Sequence, residues 1–325
     1  DLTMVTDYKK QCGYSVGTLK DFIYLIPYNA DRFAYSIDNG MCSEVAMNSN
    51  NGIVRIDGFQ TTLKNTETLD GRFKYESEVS IYIKETLGQN FFDRMRYLIQ
   101  NRWFVVVEDM QGVQYIQSVE FYSEFEYNLS LTDQNNAQNR IQLKFKGASN
   151  FPTMIMGTNI VKDNTTALIS SSCRYIKGGI FDFKMCENQY VLISEKNHEV
   201  SSIKTTGGYS FKGIDFMPKS FTYTQAYSNG QFEDTITFSI PLSDYKYYWH
   251  YNLIEFSDNR YVATFRTDND NLYAIGYSDG ASVSYVIETS TAVSSLNNIT
   301  ITLKYLGSYG LYILSKDDSI FGKDD

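Results

Sequence analysis

The chain has 325 residues, a formal net charge of −9, 15% aromatic residues and four prolines. That length supplies two cores of ordinary size. The acidic balance argues against a protein that grips nucleic acid through its phosphates, but it leaves room for a surface that nucleic acid slides past.

Abundant Tyr, Phe, Thr, Ile and Val give the composition of a sheet-rich protein. Cys12, Cys42, Cys173 and Cys186 include no Cys-x-x-Cys pair, which removes support for zinc-ribbon and thioredoxin-like sites. Scattered cysteines in a chain of this size point to free thiols in an intracellular protein, with two disulfides as the alternative. No apolar run reaches about 18 residues, so no membrane span is expected. The first ten residues lack the basic-then-apolar layout of a signal peptide.

In chain order, Cys12 to Ala30 opens with a glycine-punctuated turn and an apolar run, Phe22 to Ile26, that predicts a strand. A second strand is expected near Arg32 to Ile37, a loop over Met47 to Gly52, and a strand from Ile53 leading through Leu63. Next, Phe73, Tyr75, Val79, Ile81 and Ile83 fall on alternate positions, with Lys74, Glu76, Glu78 and Ser80 between them. That is the period of a half-buried strand. Leu87, Phe91, Met95 and Leu98 then mark one face of a helix ending near Gln100. Trp103 to Asp109, a turn at Met110 to Gly112 and Val113 to Phe121 predict a hairpin. Phe125 to Leu131 and Arg140 to Lys146 are two more strands, and Gly147 to Pro152 closes the unit.

The same order then recurs. Phe232, Ile236, Phe238, Ile240 and Leu242 repeat the alternating strand, and Phe232 lies 159 residues after Phe73 (232 − 73). Tyr245, Trp249, Leu253 and Phe256 restate the helix face, and Tyr261 to Tyr277 restate the hairpin, with Tyr273 over Tyr115. Ile301 to Gly307 matches Ile141 to Gly147 at a shift of 160 (301 − 141), and Cys173 follows Cys12 by 161 (173 − 12). Shifts this steady point to internal duplication. The expected fold is mainly β, sandwich-like or barrel-like, with one short helix per domain. The domains are residues 1–152 and 173–315, joined by a polar linker over 153–172 and followed by a charged tail over 316–325.

Chemistry is scarce in this pattern. His198 and His250 have no counterparts in the other half, so no serine or cysteine has an evident activating base. Glu76 with Glu78, and Glu124 with Glu126, share strand faces in the manner of a solvated surface. Asp268 to Asn271 lacks the glutamate of a calcium loop and suits a hairpin turn. No catalytic residue, metal site or cofactor is expected. Tyr247, Tyr248 and Tyr251 crowd the second helix and suggest core packing plus a subunit interface.

Read as strands, one helix, a hairpin and closing strands, each unit resembles the tail-tube module of tailed bacteriophages, in particular tube-like and hub proteins of crAss-like and other Bacteroidetes phages. The features that carry the resemblance are Cys12-Gly13, Gly17-Thr18-Leu19, the strand Gly71 to Ile83, and the hairpins Phe104 to Gly112 and Leu272 to Gly280. The second unit departs at Gly178-Gly179, where no Leu follows. The resemblance implies a virion structural protein, not an enzyme, that forms rings around a DNA conduit. Two modules per chain imply a trimer with pseudo-six-fold symmetry, with hexamers or twelve-fold rings as other closures. Its partners would be other tail or neck proteins, and DNA only in passage. On this reading Lys74, Glu76, Glu78, Lys84, Glu233, Thr235 and Thr237 form the candidate face for the lumen or for neighbouring subunits. The alternatives are a neck or ring adaptor, or a secreted two-domain β-sandwich that binds carbohydrate or protein.

Overall fold

The structure, a computed structural model, describes residues 19–28, 33–38, 41–47, 52–68, 74–84, 87–132, 140–157, 159–160, 165–169, 180–196, 199–241, 258–267, 271–288 and 298–314. The first half contributes β1 (Leu19–Pro27), β2 (Phe33–Asp38), β3 (Met41–Met47), β4 (Val54–Asp57), β5 (Phe59–Glu67) and β6 (Tyr75–Ile83). It continues with the helix α1 (Gln89–Gln100), β7 (Trp103–Asp109), β8 (Gln114–Ile116), β9 (Glu124–Thr132), β10 (Arg140–Ser149) and β11 (Met154–Ile155). After β12 (Thr166–Ile169) come β13 (Ile180–Glu187), β14 (Val191–Lys196), β15 (Glu199–Thr205), β16 (Lys212–Gly213), β17 (Thr222–Ser228) and β18 (Gln231–Pro241). The last strands are β19 (Arg260–Thr267), β20 (Leu272–Ile275), β21 (Ala281–Glu288), β22 (Asn298–Gly307) and β23 (Tyr312–Leu314). The protein is mainly β, with one α-helix among the described residues.

One sheet runs β11-β8-β7-β1-β4-β12. A larger one runs β16-β13-β19-β21-β22-β18-β17-β9-β10-β6-β5, with β20 and β23 attached through β19. The hairpins β2-β3 and β14-β15 stand apart from both. Among the described residues the sheets stay open. The barrel-like expectation is therefore corrected, because β5 ends the large sheet with β6 as its one strand partner there.

Partnerships recur in chain order. β1 pairs β7 and β4, as β13 pairs β19 and β16. β8 pairs β7 and β11, as β20 pairs β19 and β23. The strands β5-β6-β10-β9 and then β17-β18-β22-β21 lie side by side in the large sheet in the same internal order.

Register can be compared as well. Trp103 bridges Ser123, and Tyr261 faces Ala281, each residue 158 places after its counterpart (261 − 103 and 281 − 123). Leu143 faces Tyr127, and Ile301 faces Tyr285, again 158 apart (301 − 143 and 285 − 127). Motif matching instead puts Ile141 over Ile301, two residues away from what the ladders give. A slip of two leaves every side chain on its own face, because strand side chains alternate.

Burial explains the patterns in the sequence. In β1, Ile23 and Leu25 join the main core, while Tyr24 and Ile26 join a second cluster with Phe104, Val106 and Met154. A strand covered on both faces reads as a continuous apolar run. In β6, Val79, Ile81 and Ile83 are fully buried. On α1, Phe91, Met95 and Leu98 are buried on one stripe, and the Trp103 indole donates to the Leu98 carbonyl (3.0 Å) to satisfy a group at the helix end. The main core takes residues from both halves, including Phe91, Phe145, Phe183, Phe238 and Leu303.

Three local expectations change. The strand from Ile53 through Leu63 is two strands in different sheets, because the chain crosses between them at Gly58, where a Cβ would run into the Tyr82 carbonyl. The second hairpin arm stops at Ile116. There the buried Gln117 amide donates to the Ser77 and Phe145 carbonyls (both 2.7 Å), which turns the chain aside. Met41–Met47, for which no strand was expected, pairs with β2. The stretch between the two units carries the short strands β11 and β12, which pair with β8 and β4. Phe73, the helix face from Tyr245 to Phe256, and the tail lie outside the described residues.

Candidate functional site

The two four-strand groups meet where β9 pairs antiparallel with β17, from Thr132 opposite Thr222 to Tyr127 opposite Tyr227. Ladder pairing supplies affinity along this seam, and side chains that cross it set the register. The Tyr127 hydroxyl donates to Gln225 Oε1 (2.6 Å), and Gln225 Nε2 donates to Asp234 Oδ1 (2.8 Å). That carboxylate oxygen also accepts from the Tyr223 hydroxyl (2.6 Å). Asp234 is 0% exposed. Burial pushes its carboxyl up to about 7, and the bonds from Tyr223 and Gln225 pull it back. Burial also raises the Tyr127 and Tyr223 hydroxyls well above the ordinary phenol range.

The helix joins the halves a second time. The Leu87 carbonyl, at the entry to α1, accepts from Tyr273 Oη (2.8 Å) and Asn271 Nδ2 (2.9 Å). Both donors belong to the β19-β20 hairpin region of the other half, so the seam has a strand contact and a helix-to-hairpin contact.

Among the described residues, matching edges are left open at the two ends of the eight strands. Among the described residues β5 pairs β6 alone, and positions 62 and 64–67 are exposed. At the other end β21 pairs β22 from Ser282 to Glu288 but touches β19 only at Ala281 and Ser282, so among the described residues its far portion has no second strand partner. Val286 and Ile287 there are 59% and 44% exposed. Beside β5, the tip of the β7-β8 hairpin presents Met110, 62% exposed, over a cleft shared with Leu19, Phe59, Leu63 and Tyr115. Unpaired edges carrying apolar side chains are templates for another strand.

Glu76, Glu78, Glu233, Thr235 and Thr237 occupy the solvent side of β6 and β18 in the large sheet, opposite the buried Val79, Ile81, Ile236 and Phe238. Lys74 is exposed just before β6. Lys84, just after it, lies over the Phe59 ring at 5.0 Å. First-half neighbours on this face are charged, with Lys146 paired to Glu126 at 2.7 Å. Second-half neighbours are hydroxyls, such as Ser239 with Thr300 (3.1 Å) and Thr237 with Thr302 (3.5 Å). Tyr247, Tyr248 and Tyr251 fall outside the described residues, as do His198, His250 and Asp268 to Asp270.

Sequence reasoning passed over Gln225 and Asp234. The available signal was parity: Asp234 sits between Phe232 and Ile236 on the inward side of its strand, where a charge needs a partner. Among the described residues no group of three His, Cys, Asp or Glu side chains stands together as a metal site, and no helix is long and apolar enough to cross a membrane. Compared with known proteins, the chain matches no family model and no curated sequence.

Proposed function

We propose that this chain is a structural subunit of a phage tail, a hub or tube protein built from two tandem tail-tube-like modules, whose copies close into a ring around a conduit for DNA ejection. The observation that carries the reading is the β9-β17 seam. One four-strand group meets the next head to tail inside the chain, and the group ends left over are the same two kinds of edge, β5 and β21. A heterologous contact of this kind generates a ring when its rotation closes. Three chains would contribute six modules, giving a trimer with pseudo-six-fold symmetry.

The solvent face of the eight strands suits a conduit wall. Its first-half part mixes lysine with glutamate, and its second-half part is rich in Ser and Thr. Such a surface offers phosphate no sustained positive track, so DNA would pass without the multiple contacts that make binding tight. The wall residues would include Glu76, Glu78, Thr235 and Thr237, and the assembled protein would reside in the virion tail, against other tail or neck proteins.

Native mass spectrometry and single-particle imaging of the purified chain test the proposal. A closed ring of three copies with a central channel is the expected result. A stable monomer at high concentration overturns it.

A further inference from the structure

Resting on the ring reading above, we infer that β5 of one copy pairs antiparallel with β21 of a second copy, with Lys64 directly opposite Glu288. The register follows from ladder correspondences. Tyr127 and Tyr285 hold matching places, facing Leu143 and Ile301. Those two face Ile81 and Phe238 in turn. Two residues back along these strands, Val79 faces Leu63, and Ile236 faces Tyr223. Leu63 therefore corresponds to Tyr223, and Lys64 to Thr224. At the other end Ser130 corresponds to Glu288, the same 158 residues on (288 − 130). In the closed seam Thr224 stands directly opposite Ser130.

Three independent features fit this contact. The Thr-Ser pair of the seam is replaced by an exposed lysine and an exposed glutamate, an opposite-charge cross-strand pair. Thr66 falls opposite Val286 and Asn65 opposite Ile287 in the same register. Burial also tracks pairing at matched positions: Leu129, in the closed seam, is 1% exposed, whereas its counterpart Ile287, at the open edge, is 44% exposed. The hairpin contact has a counterpart too. Tyr273, which reaches α1 across the seam, corresponds to Tyr115, which lines the cleft beside β5 with its hydroxyl 3.1 Å from Asp109 Oδ2. In a ring that cleft would receive the second copy.

Charge exchange with a covalent readout tests the register. Lys64→Glu and Glu288→Lys should each cut the fraction of chain in rings at least tenfold at physiological salt, and the double exchange should restore it. The pair Lys64→Cys with Glu288→Cys should give disulfide-linked dimers and trimers under oxidation, while either cysteine alone should not. Circular dichroism of each variant separates loss of assembly from loss of folding. Rings that tolerate both single exchanges, with no cross-link from the cysteine pair, overturn the register and leave the ring reading standing. Absence of rings in the unaltered chain overturns both.

Discussion

The Tyr127 hydroxyl donates to Gln225 Oε1 across 2.6 Å, and that bond crosses the line where one half of the sheet meets the other. Gln225 passes the polarity on to Asp234, so four buried side chains, two of them phenols, form one network inside an otherwise apolar layer. In low dielectric a network of this kind is strong when every member is satisfied and costly when one is removed.

Gln225→Leu keeps the volume and removes both functions of the amide. The Tyr127 hydroxyl loses its acceptor, and Asp234 loses one of its two donors. The expected cost is about 2–3 kcal/mol, the scale for leaving buried polar groups unmatched. Urea denaturation of the variant beside the parent measures it. A change below about 0.5 kcal/mol would mean that the network does not support the seam.

Asp234 makes stability depend on pH. Its folded carboxyl is raised from 3.8 to about 7, so the folded state holds the proton more tightly than the unfolded chain does. The associated stability is fully present below about pH 4 and is lost as pH rises through 7. Asp234→Asn removes the titrating group and keeps an oxygen that accepts from Tyr223 and Gln225. Between pH 5 and pH 8 the parent's urea midpoint should fall, and the Asn variant's should stay nearly flat. Equal slopes for the two proteins would count against a buried, raised carboxyl.

Tyr273→Phe tests the second link between the halves. The Leu87 carbonyl keeps Asn271 as a donor, so the loss should be modest, about 1 kcal/mol. Amide hydrogen exchange should accelerate in the first turn of α1 and leave β6 protected. Faster exchange spread evenly over both sheets would argue against a local role.

The alternation of Val79, Ile81 and Ile83 and the stripe Phe91, Met95, Leu98 were legible because burial imposes a short period that one segment displays by itself. The β9-β17 pairing was not. It joins segments about a hundred residues apart, and no local period encodes which edge meets which. Gly58 hid the change of sheet for a similar reason, since its demand comes from the Tyr82 carbonyl of another strand. The charge contrast between the two halves of the solvent face was visible beforehand in Lys74, Glu76 and Glu78 set against Thr235 and Thr237. What it borders depends on the large sheet, which joins those strands in one layer.

Ile287 offers the sharpest separation of assembly from folding. It lies on the core-facing side of β21, opposite Ile299, which is 0% exposed, yet it remains 44% exposed at the edge. Ile287→Asp gives up the covered part of an apolar strand residue but leaves its charge within reach of solvent, so the isolated chain should lose about 1–2 kcal/mol and stay folded. In a ring the same position would lie beneath a neighbour's strand, and an unpaired carboxylate there would be desolvated at a cost of several kcal/mol per contact. Analytical ultracentrifugation should therefore find the variant folded and monomeric under conditions where the parent forms rings. Rings of undiminished stability in Ile287→Asp would show that this edge faces solvent in the assembled protein, and would exclude it from the contact between copies.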